Sequence, residues 1–282
     1  MFKKSKKEYY YWEEVSKIDG LVHGISTRHF GSIKNKRQIN KENLKSFLYA
    51  LGIDNKKTVF PEQVHGSGVV VISSSLSILR AEGPTNVEGS HTTSIGERDS
   101  STPNKSGLGM TEGAKLVHIP KADGLITSRK NVFLGVVTAD CLPVIFYDKK
   151  SEIVGIVHAG YKGILKGILK NMVLSFKKLG SDTKNILVAI GPSIGVCCYD
   201  VSIERVEMFV NAFEGIKTHK IRNGKYFLDL KNIAKQSLIS EGVSENNIEV
   251  SNICTKDYIK DFFSFRGEGR IVGEFVTIVG RI

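Results

Sequence analysis

Residues 73–113 form a stretch of 41 residues in which 20 are Ser, Thr or Gly and none is Phe, Trp or Tyr. So few apolar side chains cannot bury enough surface to offset the entropy of ordering the segment. It reads as a long, mobile surface insertion, and the core has to be assembled from the sequence on either side. Neither side carries a complete set of elements. The expectation is therefore one domain over residues 1–282, interrupted at 73–113. A chain of this length buries about three quarters of the surface exposed when unfolded, so it needs no disulfide or structural metal for stability.

The flanks supply the elements. Residues 21–26 predict a strand. Asn40 predicts a helix cap ahead of Leu44, Phe47, Leu48 and Leu51, with Gly52 as the stop. Val69–Ile72, Val132–Val137, Val144–Tyr147 after Pro143, and Ile153–Val157 are β-rich apolar runs. One long helix is expected from Tyr161 to Leu179, with its apolar stripe running from Ile164 to Leu179 and Gly180 as the stop. Further strands are expected at Ile186–Ile190, Tyr226–Leu228, Ile248–Ile253 and Phe275–Val279, with helices capped by Ser202 and Asp229. No regular strand–helix–strand period appears. The fold class is α+β, a layered α/β sandwich of mixed sheets flanked by helices, and not a dinucleotide-binding sheet. Gly267, Gly269 and Gly273 also miss the dinucleotide spacing.

Lys and Arg number 40 against 29 Asp and Glu, a formal charge of +11. The cations are scattered, with one run, Lys3 to Lys7, at a terminus expected to fray. No zinc finger, RNP-like stretch or basic helix accompanies them, so a solvated Lys-rich surface is favoured over a nucleic-acid partner. No apolar run is long enough for a membrane span, and the basic N-terminus lacks the apolar core of a signal peptide. Cys141, Cys197, Cys198 and Cys254 show no disulfide framework. The expected compartment is a reducing cytoplasm. The Asn104-Lys105-Ser106 sequon gains no support from this, and Cys197-Cys198 reads as a pair of buried thiols.

Three short motifs place reactive residues at strand ends: Gln63-Val64-His65-Gly66, Thr138-Ala139-Asp140-Cys141 and His158-Ala159-Gly160. A buried strand gives such a side chain a rigid mount. His65, Cys141 and His158 suit zinc, since two imidazoles and one thiolate leave a fourth tetrahedral position open. The same residues also suit a thiol hydrolase, with Cys141 as nucleophile, His158 as base, and Asp140 or Asp123 as orienter. Asp123, in Ala122-Asp123-Gly124, reads equally well as a turn residue. Arg28 and Arg266 lie at predicted strand ends, where guanidinium suits phosphate.

Taken in order, these motifs resemble one family. They are joined by Ala122-Asp123-Gly124-Leu125-Ile126-Thr127, Ile190-Gly191-Pro192-Ser193-Ile194 and Phe262-Phe263-Ser264-Phe265-Arg266. The chain resembles the YfiH-like laccase-domain proteins, formerly labelled multicopper polyphenol oxidases and now described as purine nucleoside phosphorylases with adenosine deaminase activity. The resemblance implies a single-domain sandwich and zinc at His65, Cys141 and His158. It implies phosphorolysis of adenosine, inosine and methylthioadenosine, and deamination of adenosine. Purine nucleosides and phosphate are then the expected partners. Asp140 or another nearby carboxylate is expected to move the proton, with Asp140, Cys141 and His158 as the catalytic group. Arg28, Gln63, Lys162 and Arg266 are expected to bind substrate and phosphate.

Three departures stand out. Tyr161-Lys162 replaces the family's Trp-Arg, residues 267–270 alter an Arg- and Gly-rich stretch, and 73–113 is longer than usual. Lys162 lacks the bidentate fork of Arg. The alternatives are a copper-dependent polyphenol oxidase, a Cys-His hydrolase and a non-enzymatic basic binding protein. With three plausible ligands and no Cys-His-Met cluster, copper is the weaker choice of metal.

Overall fold

The structure is a computed structural model that describes residues 1–35, 38–73, 77–81, 93–94, 116–119, 121–269 and 273–282. Strand Val132–Thr138 shows how it is layered, because every residue in it is buried. Val132, Leu134 and Val136 face one core, while Phe133 and Val137 face another. Successive strand side chains point to opposite faces, so a continuous apolar run means cover on both sides. Leu142–Asp148 repeats the pattern. Ile145 and Tyr147 join the first of those cores, and Val144 and Phe146 join a third.

The two strands belong to different mixed sheets. The first sheet runs Phe2–Lys4, Tyr10–Trp12, Leu21–Ile25, Phe275–Arg281, Val132–Thr138, Lys57–Pro61, Leu116–Ile119. The second runs Ile248–Val250, Ile186–Ile190, Leu142–Asp148, Val154–Ala159, Gly124–Thr127, Val69–Ile72, Ser77–Ala81, Thr93–Ser94. Parallel and antiparallel neighbours occur in both. The sheets enclose the shared inner core between them. Helix Lys41–Leu51 covers the outside of the first sheet through Leu44, Phe47 and Leu48. Helices Ile168–Lys178 and Leu230–Ser240 cover the second through Met172, Val173, Phe176, Ile233 and Leu238. The α+β sandwich expected from sequence is the architecture found. No described helix is long and apolar enough to cross a membrane.

Two of the three expected caps bond as expected: Asn40 accepts the Asn43 N–H and Asp229 accepts the Asn232 N–H. Ser202 heads its helix, Ile203–Ala212, but makes no side-chain cap bond. Three further expectations need correcting. The basic N-terminus does not fray, since Phe2–Lys4 pairs antiparallel with Tyr10–Trp12 and Lys4 is ion-paired to Glu8 and Asp261. The helix expected over 161–179 breaks at Gly167, which takes φ +80° and separates Tyr161–Leu165 from Ile168–Lys178. The stretch 73–113 is not wholly irregular. Ser77–Ala81 pairs with the edge strand Val69–Ile72, and Thr93–Ser94 pairs with Ser77–Ala81, completing ladder bonds that the edge would otherwise leave open. The remainder of that insertion and the sequon lie outside the described residues.

Candidate metal centre

Thr138 ends a strand of the first sheet and Leu142 begins one of the second. Ala139, Asp140 and Cys141 cross between the sheets. Asp140 takes φ +91°, a left-handed conformation that costs an L-residue about 1–2 kcal/mol and that Asp tolerates better than most. Its carboxylate holds the crossing in place. Oδ1 accepts the Thr255 hydroxyl and Oδ2 accepts the Arg266 N–H, each at 2.7 Å.

Strand register brings in the second member. Leu142 pairs with Ala159 and Pro143 with His158, so His158 stands beside the crossing. His65 arrives on the loop after Lys57–Pro61, at φ +56°. The fully buried Asp123 fixes that loop. Its carboxylate accepts the N–H groups of Val64, His65 and Gly66 at 3.2, 3.0 and 2.7 Å. The same carboxylate accepts His158 Nδ1–H at 2.8 Å, which leaves Nε2 as the nitrogen on the Cys141 side. This is the carboxylate–histidine arrangement that orients metal ligands.

The donor atoms of His65, Cys141 and His158 all lie within 4.8 Å of one another. The two rings meet edge to face, with centroids 4.7 Å apart. Gly160 permits the approach, because a Cβ there would stand 3.0 Å from both Cys141 Sγ and His65 Cδ2.

The electrostatics follow from these contacts. Burial penalises the Cys141 thiolate, but the two histidines outweigh it and bring the thiol down to about 7. Burial also penalises the His158 cation, but Cys141 and Asp123 outweigh it and raise His158 to about 9. Burial works against the Asp123 carboxylate too, yet His158 and the backbone donors hold it below the ordinary carboxylate range. A low-lying thiolate, a fixed imidazole and a second imidazole more exposed to solvent form a donor set suited to a borderline-soft metal.

Cations and aromatics line the neighbouring wall. The Arg205 guanidinium lies 4.2 Å from the Tyr161 ring centroid, and that of Arg266 lies 4.9 Å from the Tyr199 ring centroid. The residues singled out from sequence separate here. Arg266 sits on this wall, but its guanidinium is also bonded to Asp200. Lys162 is exposed on the first turn of Tyr161–Leu165. Both ends of the Gln63 amide bond the backbone of Val137, extending the ladder where strand Lys57–Pro61 leaves it. Arg28 stacks on Phe263, bonds the Phe262 carbonyl and pairs with Glu268, anchoring the segment that carries Arg266. It also lines a cavity of about 750 Å³ with Asn43 and Tyr49, in which none of the three donors takes part.

Two residues escaped the reading from sequence. Arg205 gave no signal beyond its charge. Glu274 heads the strand Phe275–Arg281, and burial raises its carboxyl against the pull of Lys34, His158 and His65. Both imidazoles of the centre act on its carboxyl through space. Its signal was an acid directly before a buried strand.

Two stacked sheets between helices, with a His–Cys–His set where the chain crosses from one sheet to the other, define a sandwich with a candidate metal centre. The sequence matches the family described as multi-copper polyphenol oxidoreductase laccase over residues 24–282, and the chain belongs to that family. It is 35% identical over 175 residues to the purine nucleoside phosphorylase YlmD of Bacillus subtilis, a match spanning 60% of this chain and 63% of that protein. The chain thus spans less than two thirds of the length of that phosphorylase. It is 30% identical to adenosine deaminase RL5, from an unknown prokaryotic organism, over 82% of this chain and 78% of that one. The crystal structure of the hypothetical protein YfiH from Bacillus licheniformis superposes with a TM-score of 0.79 at 27% identity, covering 100% of this chain and 99% of that one. That of YlmD from Geobacillus stearothermophilus gives 0.79 at 25% identity, covering 99% and 98%.

Proposed function

We propose that residues 1–282 form a single-domain purine nucleoside phosphorylase with adenosine deaminase side activity, holding zinc at His65, Cys141 and His158. The observation that carries this reading is the convergence of three donors within 4.8 Å, with Asp123 fixed on Nδ1 of His158. The names of the relatives support the reaction class. Zinc there supplies a Lewis acid with an open coordination position.

The remaining chemistry falls to the chain's own residues. Phosphorolysis forms a bond from a phosphate oxygen to the ribose C1′ while the bond from C1′ to the purine nitrogen breaks. Arg205 and Arg266 hold phosphate on the wall, with Lys162 at its rim. Tyr161 and Tyr199 offer faces on which a base stacks. Glu274 carries the proton to the departing base, since a half-buried carboxyl with a raised pKa holds a proton at higher pH for donation. Asp140 acts as a positioning residue, because both of its oxygens are engaged. In deamination, the oxygen of water joins the amine-bearing purine carbon and ammonia leaves.

Purified protein given inosine and phosphate is expected to release hypoxanthine and ribose 1-phosphate, and given adenosine to release ammonia. Cys141→Ser is expected to abolish both and to lower bound zinc. Full activity with unchanged metal in that variant would overturn the reading. Oxygen-dependent turnover of a phenol that follows copper instead of zinc would replace it with the oxidase named in the family's description.

A further inference from the structure

Cys197 is exposed and Cys198 half-buried, contrary to the expectation of two buried thiols, and the fold brings the buried Cys254 and exposed Asp257 to them. One donor atom from each of these four residues lies within 4.8 Å of every other. The Cys197 and Cys198 sulfurs each stand 3.0 Å from a different oxygen of Asp257. Two turns build the cluster. Cys198 N–H closes on the Gly195 carbonyl, and Tyr258 N–H closes on the Cys254 carbonyl. A bridge between Ser193 and Cys254 ties the turns together.

Three further observations point to a ligand. A Cβ on Gly195 would stand 2.9 Å from Cys197 Sγ and 3.2 Å from Cys254 Cβ, so glycine lets the turn close over the sulfurs. The Gly195 N–H also donates to Cys254 Sγ at 3.3 Å, a bond that is stronger when the sulfur is ionised. The buried Lys231 ammonium donates to the carbonyls of Ser251 and Ile253, at 2.8 and 2.7 Å, on the segment leading into Cys254. Its charge lies close enough to interact with the Cys254 and Cys197 sulfurs.

We propose that Cys197, Cys198, Cys254 and Asp257 bind one zinc-class dication as a closed tetrahedral site. A tetrahedral metal about 2.3 Å from sulfur and about 2.0 Å from oxygen spaces its ligand atoms roughly 3.5–3.8 Å apart, so the widest separations close by about 1 Å and a 3.0 Å sulfur–oxygen contact opens by about half an ångström. Each S–H bond is replaced by an S–metal bond, and the three protons pass to solvent. Three thiolates and a carboxylate over-compensate a dication, and the Lys231 cation offsets part of that excess. Four protein donors leave no open position, so the site is structural. It would fasten the turn leading to Tyr199 and Asp200 to the turn whose Thr255 holds Asp140. The proposal does not depend on the reaction assigned to the first centre.

The test is metal titration of the full chain, stripped of metal, with cobalt(II) and separately with zinc(II). Two equivalents per chain are expected, with thiolate-to-cobalt absorption stronger than one thiolate can give. His158→Ala is expected to keep one equivalent and most of that absorption. Cys197→Ser and Asp257→Asn, both surface changes compatible with folding, are each expected to lose one equivalent and most of that absorption. Zinc is also expected to shield Cys197 and Cys198 from alkylation in the wild type but not in Asp257→Asn. Uptake of a single equivalent abolished by His158→Ala, unchanged stoichiometry in Cys197→Ser, or alkylation indifferent to zinc would each overturn the proposal.

Discussion

His23 and His158 are both buried, at 5% and 3% exposure, and the protein drives them in opposite directions. The His23 ring accepts the Trp12 N–H at Nε2, and burial takes its pKa down to about 4. Burial acts on His158 in the same sense, but Cys141 and Asp123 reverse it. The contrast shows that desolvation alone turns a histidine into a neutral part of the core. A functional histidine needs a charge that the topology holds fixed against it. Asp123 provides that charge, and it can do so because three backbone N–H groups hold its own carboxylate in place.

Removing that charge is the most direct way to break the contrast. Asp123→Ala leaves His158 and three N–H groups without their partner and is expected to cost about 3–5 kcal/mol in urea unfolding. The ring of His158 should then titrate well below about 9 by NMR, approaching the behaviour of His23. Wild-type stability in that variant would show that Asp123 is not the organiser. The second prediction concerns His23 itself. The unfolded ring takes a proton near 6.5 and the folded ring only near 4. Between those values the unfolded state binds the extra proton, so stability falls as pH drops from 6.5 to 4 and then levels off. The loss amounts to about 3 kcal/mol. Denaturant midpoints against pH would show it, and His23→Gln should flatten the slope.

Gly160→Ala tests geometry with the charges left intact. The new methyl would crowd Cys141 Sγ and His65 Cδ2 at a cost of about 1–3 kcal/mol, read as weaker metal affinity by roughly tenfold or more. Unchanged affinity would mean that the two donors move apart freely. The smallest effect is expected at a carboxylate of the same kind nearer the surface. Asp261 pairs with Lys4 at 2.8 Å, and Lys4→Ala should cost under about 1 kcal/mol by the same unfolding assay.

Much of this could be read from the sequence, for physical reasons that differ by element. The caps at Asn40 and Asp229 are local chemistry, and local chemistry is written in adjacent residues. The run Val132–Val137 announced a strand, but its cover on both faces, and by which cores, came only with the fold. Lys57–Pro61 went unread because its lysine, threonine and proline obscure the pattern, and its cover comes from parallel neighbours distant in sequence. At the centre, the three donors were legible as residue types at strand ends. Asp123 was legible only as one of two candidate orienters of His158; its hold on the backbone of residues 64–66 was not, since only the folded sheets create those contacts. The cluster of Cys197, Cys198, Cys254 and Asp257 stayed hidden for the same reason, with a vicinal pair and two residues nearly sixty positions away.

The link of Ala139, Asp140 and Cys141 has one more consequence. Four backbone steps from Thr138 to Leu142 reach at most roughly 14 Å at full stretch. Packed sheets stand about 10 Å apart, and the turn at Asp140 uses up much of the difference. The link therefore works as a rivet with almost no play. The step from Thr127 to Val132 crosses between the same sheets nearly as tightly, but at the donor end their separation is set by the covalent geometry of residues 139–141. Cys141 sits on the rivet, so the spacing of the donors is tied to a point where the sandwich has little room to open.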